Sequence, residues 1–222
     1  MTGPAAAASS PDDLDDDRVA AARRAGDAGR RLLNALISSR APAEVLEAAA
    51  SELDRVAAAL EPSAVRSRYD GTDGLTLIRF SNPRISDHHP LLGQANPIAP
   101  PLAAERGDDG SVTVRGTYDK RAEGMPGLVH GGVLAMGFDL ALGLASAAAI
   151  ERPAMTGTLT LRYRAPTPLW REVVYRAHAE PRSARTVRAH GTLHVDETLC
   201  VEAEGIWVAT KDNRVPNVEV GE

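Results

Sequence analysis

The stretch GLVHGGVLAMGFDLALGLASAAAI, from Gly127 to Ile150, decides how the rest of the chain must fold. After the glycine pair Gly131 and Gly132 it holds almost only small and apolar side chains, with one carboxylate, Asp139, near its middle. A helix that is apolar on most faces has to be wrapped by other elements. A carboxylate buried in such a helix without a partner costs several kcal/mol or takes up a proton, so Asp139 needs a structural partner or chemical work. The run is also about as long as a membrane span. Asp139 at its centre would cost about 2.5–3.5 kcal/mol in a bilayer, and Ala and Gly add little hydrophobic energy. Amphipathic strands follow directly, so the reading is a buried core helix and no membrane span.

Four alternating runs after Pro153 supply the wrapping: TGTLTLRYRAP, REVVYRAHAE, ARTVRAHGTLHV and TLCVEAEGIWVAT. Only short turns separate them, which permits antiparallel pairing and excludes helical crossovers. SVTVRGTY, from Ser111 to Tyr118, alternates in the same way, and Leu75 to Phe80 reads as a first strand. The segment between, SNPRISDHHPLLGQANPIAPPL, has five prolines and no period, so it is expected to be irregular and on the surface. His88 and His89 within it point apart on an extended chain and lack a ligand set of suitable spacing, so no metal site is expected. The expected fold is α+β, an antiparallel sheet curled around one long central helix. The helix's remaining apolar face would be covered by a second copy.

Residues 1–14 read as a disordered N-terminus, 15–62 as a helical extension, 75–210 as the main domain and 211–222 as a flexible tail. In the extension Val45, Leu46, Ala49, Leu53, Val56, Ala57 and Leu60 recur at helical spacing, as do Leu32, Leu33, Leu36 and Ile37 before them. Pro42 and Pro62 delimit the second helix. This predicts a helical hairpin, either a lid or oligomerisation arm or a packing flap. Across 222 residues the formal net charge is −5, without the basic face that nucleic-acid binding requires. The one cysteine, Cys200, cannot form an internal disulfide, and the first residues carry acid where a signal peptide needs apolar side chains. Both point to a cytoplasmic protein.

His130, Gly131 and Gly132 lead into the helix. Unpaired first-turn amides with partial positive charge make an anion- or oxyanion-binding end; alternatively the glycines only make a tight turn that His130 caps. Asp139 follows Gly132 by seven residues, about 10 Å along a helix axis at 1.5 Å per residue. An oxyanion donor must come within about 3 Å of its oxygen, and a base or nucleophile needs similar contact. One carbonyl therefore does not reach both groups on the same helix. Two antiparallel helices across a twofold axis would bring Gly132 of one subunit to Asp139 of the partner subunit. The spacing predicts a homodimer with two composite sites.

The run HGGVLAMGFDLALG followed by TGTLTLRYRAPTPL resembles the hot-dog-fold, PaaI-like acyl-CoA thioesterases of the thioesterase superfamily, over roughly Leu75 to Thr210. The resemblance implies a sheet wrapped around one helix, a homodimer or dimer of dimers, an acyl-CoA substrate and no cofactor. It implies that the Gly132 amide, in the same turn as Gly131, holds the thioester oxygen, while Asp139 attacks the thioester or activates water. Thr156 would orient that water or the carboxylate, and His130 would orient the glycine turn and contact the thioester. Some branches carry Ser or Thr one turn after the carboxylate; here that position is Gly143. The water-positioning role then falls to Thr156 or Thr158. Thr158 and Thr160 share a strand face with Thr156, so which one faces the site stays open. Arg162, Arg164, Arg182, Arg185 and Arg188 are candidates for coenzyme A phosphates, or plain solvated charge; Arg164 is the one carried forward. Three alternatives remain: a non-catalytic acyl-CoA-binding hot-dog protein, a hydratase or dehydratase, and an acyl carrier protein as the carrier in place of CoA. The first needs no carboxylate, and the second usually needs an acid and histidine placed differently.

Overall fold

The computed structural model describes residues 16–65 and 87–210. The strand expected at Leu75 to Phe80, the first residues and the tail lie outside that range. Strands β1 (Ala103–Arg106), β2 (Val112–Thr117), β3 (Ala154–Tyr163), β4 (Glu172–Pro181), β5 (Thr186–Val195) and β6 (Thr198–Ala209) form one sheet in the order β1-β2-β4-β5-β6-β3. Every neighbouring pair is antiparallel. Strand β1 is an element that sequence pattern does not announce: AAER has no alternation, and most of it is exposed on the sheet edge.

Helix α3 (Gly131–Ile150) lies against the sheet, as the hot-dog reading requires. Leu134, Phe138, Ala141, Leu142 and Ala145 turn inward and meet Val173, Tyr175, Ala189, Leu193 and Trp207 of the sheet in one core cluster. The chain has few aromatics, yet four of them, Phe138, Tyr118, Tyr175 and Trp207, are among its largest fully buried side chains. The Tyr118 and Tyr175 hydroxyls bond each other at 2.9 Å, so neither is left unpaired. By length and composition α3 could cross a membrane; in the fold its inner face is packed on the sheet.

The opposite face of α3 is left uncovered by the sheet within one chain. Gly132, Met136 and Asp139 form an exposed stripe, so Asp139 is not buried within one chain. Helical spacing of i, i+4 and i+7 explains this stripe.

The N-terminal helices α1 (Asp16–Ser38) and α2 (Ala43–Leu60) are both present. They are not anchored as a pair of matched apolar faces. No residue of α2 is buried, and Val45, Leu46, Val56 and Leu60 are exposed. Helix α1 instead docks through polar groups onto the irregular segment at 87–102. Arg23 pairs with buried Asp87 at 2.8 Å, Arg30 donates to the carbonyls of Gln94 and Asn96, and Asn34 donates to Asp119. Gly26 is buried where a Cβ would lie 2.5 Å from the Gln94 oxygen and 2.7 Å from the Ala95 carbonyl carbon.

Two outcomes follow from this packing. Alanine is favoured over glycine inside a helix by about 1 kcal/mol, yet Gly26→Ala is expected to lower the melting temperature, because its methyl group meets loop backbone; a melt at or above wild type would show that the loop yields freely. Burial raises the Tyr118 hydroxyl to about 12, with the Tyr175 bond opposing, and burial likewise raises Tyr175 well above its usual range. These groups fold neutral and are destabilising only once the unfolded chain can ionise them, so their contribution is intact below about pH 10 and is lost as pH rises toward 12. An alkaline titration at 295 nm alongside circular dichroism should show their ionisation only together with unfolding.

Candidate active site

Strand β3 and the loop after it hold the start of α3. The Tyr163 hydroxyl donates to the Gly131 carbonyl at 2.8 Å. The Val129 amide donates to Thr167, the Leu169 amide to Gly127, and the His130 amide to Ala122. His130 is the N-cap residue, and its Nδ1 accepts from the Gly132 amide at 3.0 Å. The capping role weighed for His130 is therefore realised, and the amide expected to hold a thioester oxygen has an imidazole acceptor in the free protein. The Gly131 amide has no acceptor among the described residues.

Two turns along the exposed stripe, Asp139 accepts a 2.6 Å hydrogen bond from the Thr156 hydroxyl of β3. The open question among the threonines is decided by a bulge. In the pairing of β3 with β6, Thr156 lies opposite Trp207 and Thr158 opposite Ile206, with Gly157 as the extra residue. Directly paired residues share a face, and a bulge reverses the alternation beyond it. Thr156, Leu159, Leu161 and Tyr163 thus face α3, paired with the buried-face residues Trp207, Gly205, Ala203 and Val201. Thr158 and Thr160 face outward. The expectation that they share Thr156's face is corrected by this one residue.

The outer face also takes Arg164, whose guanidinium pairs with Glu202 at 2.6 Å, and Arg188, which pairs with Glu204 at 2.8 Å. The structure brings together His130, Gly131 and Gly132 at one end of the stripe, and Asp139 with Thr156 at the other. Thr158 and Arg164 lie on the far side of the sheet. Gly143 sits over Trp207, where a Cβ would meet the indole nitrogen at 3.4 Å. Cys200 is buried and faces backbone carbonyls of Pro166 and Thr198. His89 Nδ1 accepts from the amides of Leu91 and Leu92, and no group of three or more His, Cys, Asp or Glu with metal-binding geometry occurs among the described residues. Tyr163 escapes sequence reasoning because a tyrosine on an alternating strand carries no sign that its hydroxyl reaches a helix start.

No protein-family model matches the chain. A curated relative, the acyl-coenzyme A thioesterase THEM4 of Bos taurus, is 34% identical over 88 residues, 39% of this chain and 35% of its own length. The match thus spans about a third of that relative. A mutant of the phenylacetic acid degradation protein PaaI from Thermus thermophilus superposes with a TM-score of 0.46 at 24% identity, over 49% of this chain and 93% of that one. The crystal structure of RHA08564, described as a thioesterase superfamily protein, is 33% identical with a TM-score of 0.70, covering 84% of this chain and 94% of that one. With a third of its residues identical across nearly the whole of that protein and the same fold, the chain belongs to the thioesterase superfamily.

Proposed function

We propose that the protein is an acyl-CoA thioesterase that hydrolyses an acyl thioester to the free acid and CoA. The observation that carries this reading is the Thr156–Asp139 hydrogen bond at 2.6 Å on the exposed stripe of α3, in a chain of the thioesterase superfamily. An acceptor carboxylate oriented by a hydroxyl is set to take a proton from water or to attack the thioester carbon itself. The polarised amides at the start of α3 would stabilise the oxyanion, with Gly132 exchanging the His130 nitrogen for the substrate oxygen and Gly131 adjacent. As a base, Asp139 takes a proton from water as the hydroxide adds to the carbonyl, and the collapsing tetrahedral centre expels CoA thiolate, which regains the proton. A non-catalytic acyl-CoA-binding role would leave that oriented carboxylate without work.

The active unit in this reading is a homodimer in a reducing cytoplasm, where buried Cys200 stays a thiol. Strand β3 is a sheet edge ten residues long, with seven of them exposed, and it borders the exposed stripe of α3. Long uncovered edges are rare in stable monomers. A second copy packed there would bring Asp139 of the partner subunit to Gly132.

Thiol release from short, medium, long and aromatic acyl-CoAs is the test of the chemistry. Asp139→Asn keeps the shape and the Thr156 partner, and is expected to lower turnover by about 10²- to 10⁴-fold with the oligomer unchanged. An inert wild type, or equal rates in the variant, would move the binding-protein reading to the front. Subunit mixing tests the composite site. Gly132→Pro removes the amide, with its bond to His130, inside the first helical turn, and it too should be inactive. Random re-pairing of the two inactive proteins makes about half the dimers hybrids with one intact site of two, so about a quarter of wild-type activity should return. No recovery would place both groups in one subunit.

A further inference from the structure

Beside the exposed stripe, between α3 and the irregular segment at 87–102, lies an apolar cavity of about 140 Å³. Pro90, Leu91, Ile98, Ala122, Val133 and Met136 line it. Val133 and Met136 belong to the turn of α3 that separates Gly132 from Asp139, so the cavity opens beside the groups assigned to the thioester. Its polar neighbours are already engaged. The Tyr118 hydroxyl is bonded to Tyr175, the Asp119 carboxylate accepts from Asn34 and Arg121, and Arg121 also donates to the carbonyls of Pro97 at 2.6 Å and Ala99 at 3.2 Å. Such a wall offers an occupant contact and exclusion of water, with little competition from unpaired polar groups.

We infer that this cavity holds the acyl group of the substrate and restricts it to short tails of about six carbons. The inference rests on the thioesterase reading and deepens it. A dry apolar cavity of about 150 Å³ is enough for benzene, so a hexanoyl-sized group fills this one and a fourteen-carbon chain does not. The wall formed by Pro90, Leu91 and Ile98 is fastened by Arg30 and Arg121 at neighbouring carbonyls and by the Arg23–Asp87 pair. Helix α1 therefore acts on substrate choice without touching substrate, by holding the wall in place.

Calorimetric binding of S-ethyl-, S-hexyl- and S-tetradecyl-CoA thioethers to the full chain tests this without requiring turnover. The hexyl form should bind roughly ten- to a hundredfold tighter than the ethyl form, and the tetradecyl form no tighter than the hexyl. Val133→Phe fills the cavity and should bring the hexyl-to-ethyl ratio close to one. Ile98→Trp, at a position 64% exposed and so tolerant of bulk, should do the same if Val133→Phe fails to fold. An absent hexyl gain in wild type, a gain that survives the filled variants, or a preference for the tetradecyl form each overturns the inference. If the thioethers bind as described while every acyl-CoA resists hydrolysis, the cavity stands and the catalytic reading falls.

Discussion

A single extra residue in an edge strand sets the geometry on which the site depends. Without the bulge at Gly157, a strand that presents Leu159, Leu161 and Tyr163 to α3 would turn Thr156 away from it, and Asp139 would lose its partner. With the bulge, one strand reaches both ends of the exposed stripe: Thr156 at Asp139 and Tyr163 at the carbonyl of Gly131. The glycine turn and the carboxylate are spaced by the helix that carries both, and the two contacts fix the strand against that helix at two points. The same strand leaves its outer edge unpaired within the chain. One placement of the strand thus both orders the helix face and leaves a sheet edge open.

A second constraint acts at the opposite end of the helix start. The segment 87–102 buries Leu91, Ala99 and Leu102 but has no regular hydrogen-bond ladder, so several of its carbonyls take donors from elsewhere. Arginine supplies several directed donors at once. Arg30 reaches Gln94 and Asn96, and Arg121 reaches Pro97 and Ala99. Asp119 orients Arg121 in turn. Burial alone would raise the Asp119 carboxyl, but hydrogen bonds from Arg121 and Asn34 outweigh it and hold the group below the usual carboxylate range. That depressed value means its stabilisation is present at neutral pH and is lost as pH falls through the acid range. The absence of a Cβ at Gly26 lets loop and helix backbones touch, which explains a glycine in a helix interior.

Most of the architecture was legible in the sequence because it rests on period. Five of the strands announce themselves by alternation, and the central helix by an apolar run too long for a strand. The elements that pattern does not reveal are those whose order comes from neighbours. Strand β1 is four residues held only by pairing with β2, and α1 docks by arginine-to-carbonyl bonds that leave no hydrophobic trace. The site divides along the same line. Gly132, His130 and Asp139 could be picked out by type and spacing, whereas the choice between Thr156 and Thr158 turned on a register shift that no composition encodes. Asp139 is exposed within one chain because it lies on the face of α3 that the sheet leaves uncovered.

The capping histidine bears on selectivity under the thioesterase reading. In the free protein the Gly132 amide is already satisfied by His130 Nδ1, so binding substrate there exchanges one acceptor for another and leaves no donor stranded. A neutral thioester carbonyl is a weak competitor for that amide. A tetrahedral oxyanion is a far better one, since charge-assisted hydrogen bonds are about twice as strong as neutral ones. The exchange therefore becomes favourable mainly as negative charge develops on the oxygen. Interactions that strengthen only toward the transition state raise turnover without tightening ground-state binding. A helix start whose amide is held by a displaceable imidazole meets that condition better than a bare one, and Tyr163 keeps the glycine turn in place while the exchange occurs.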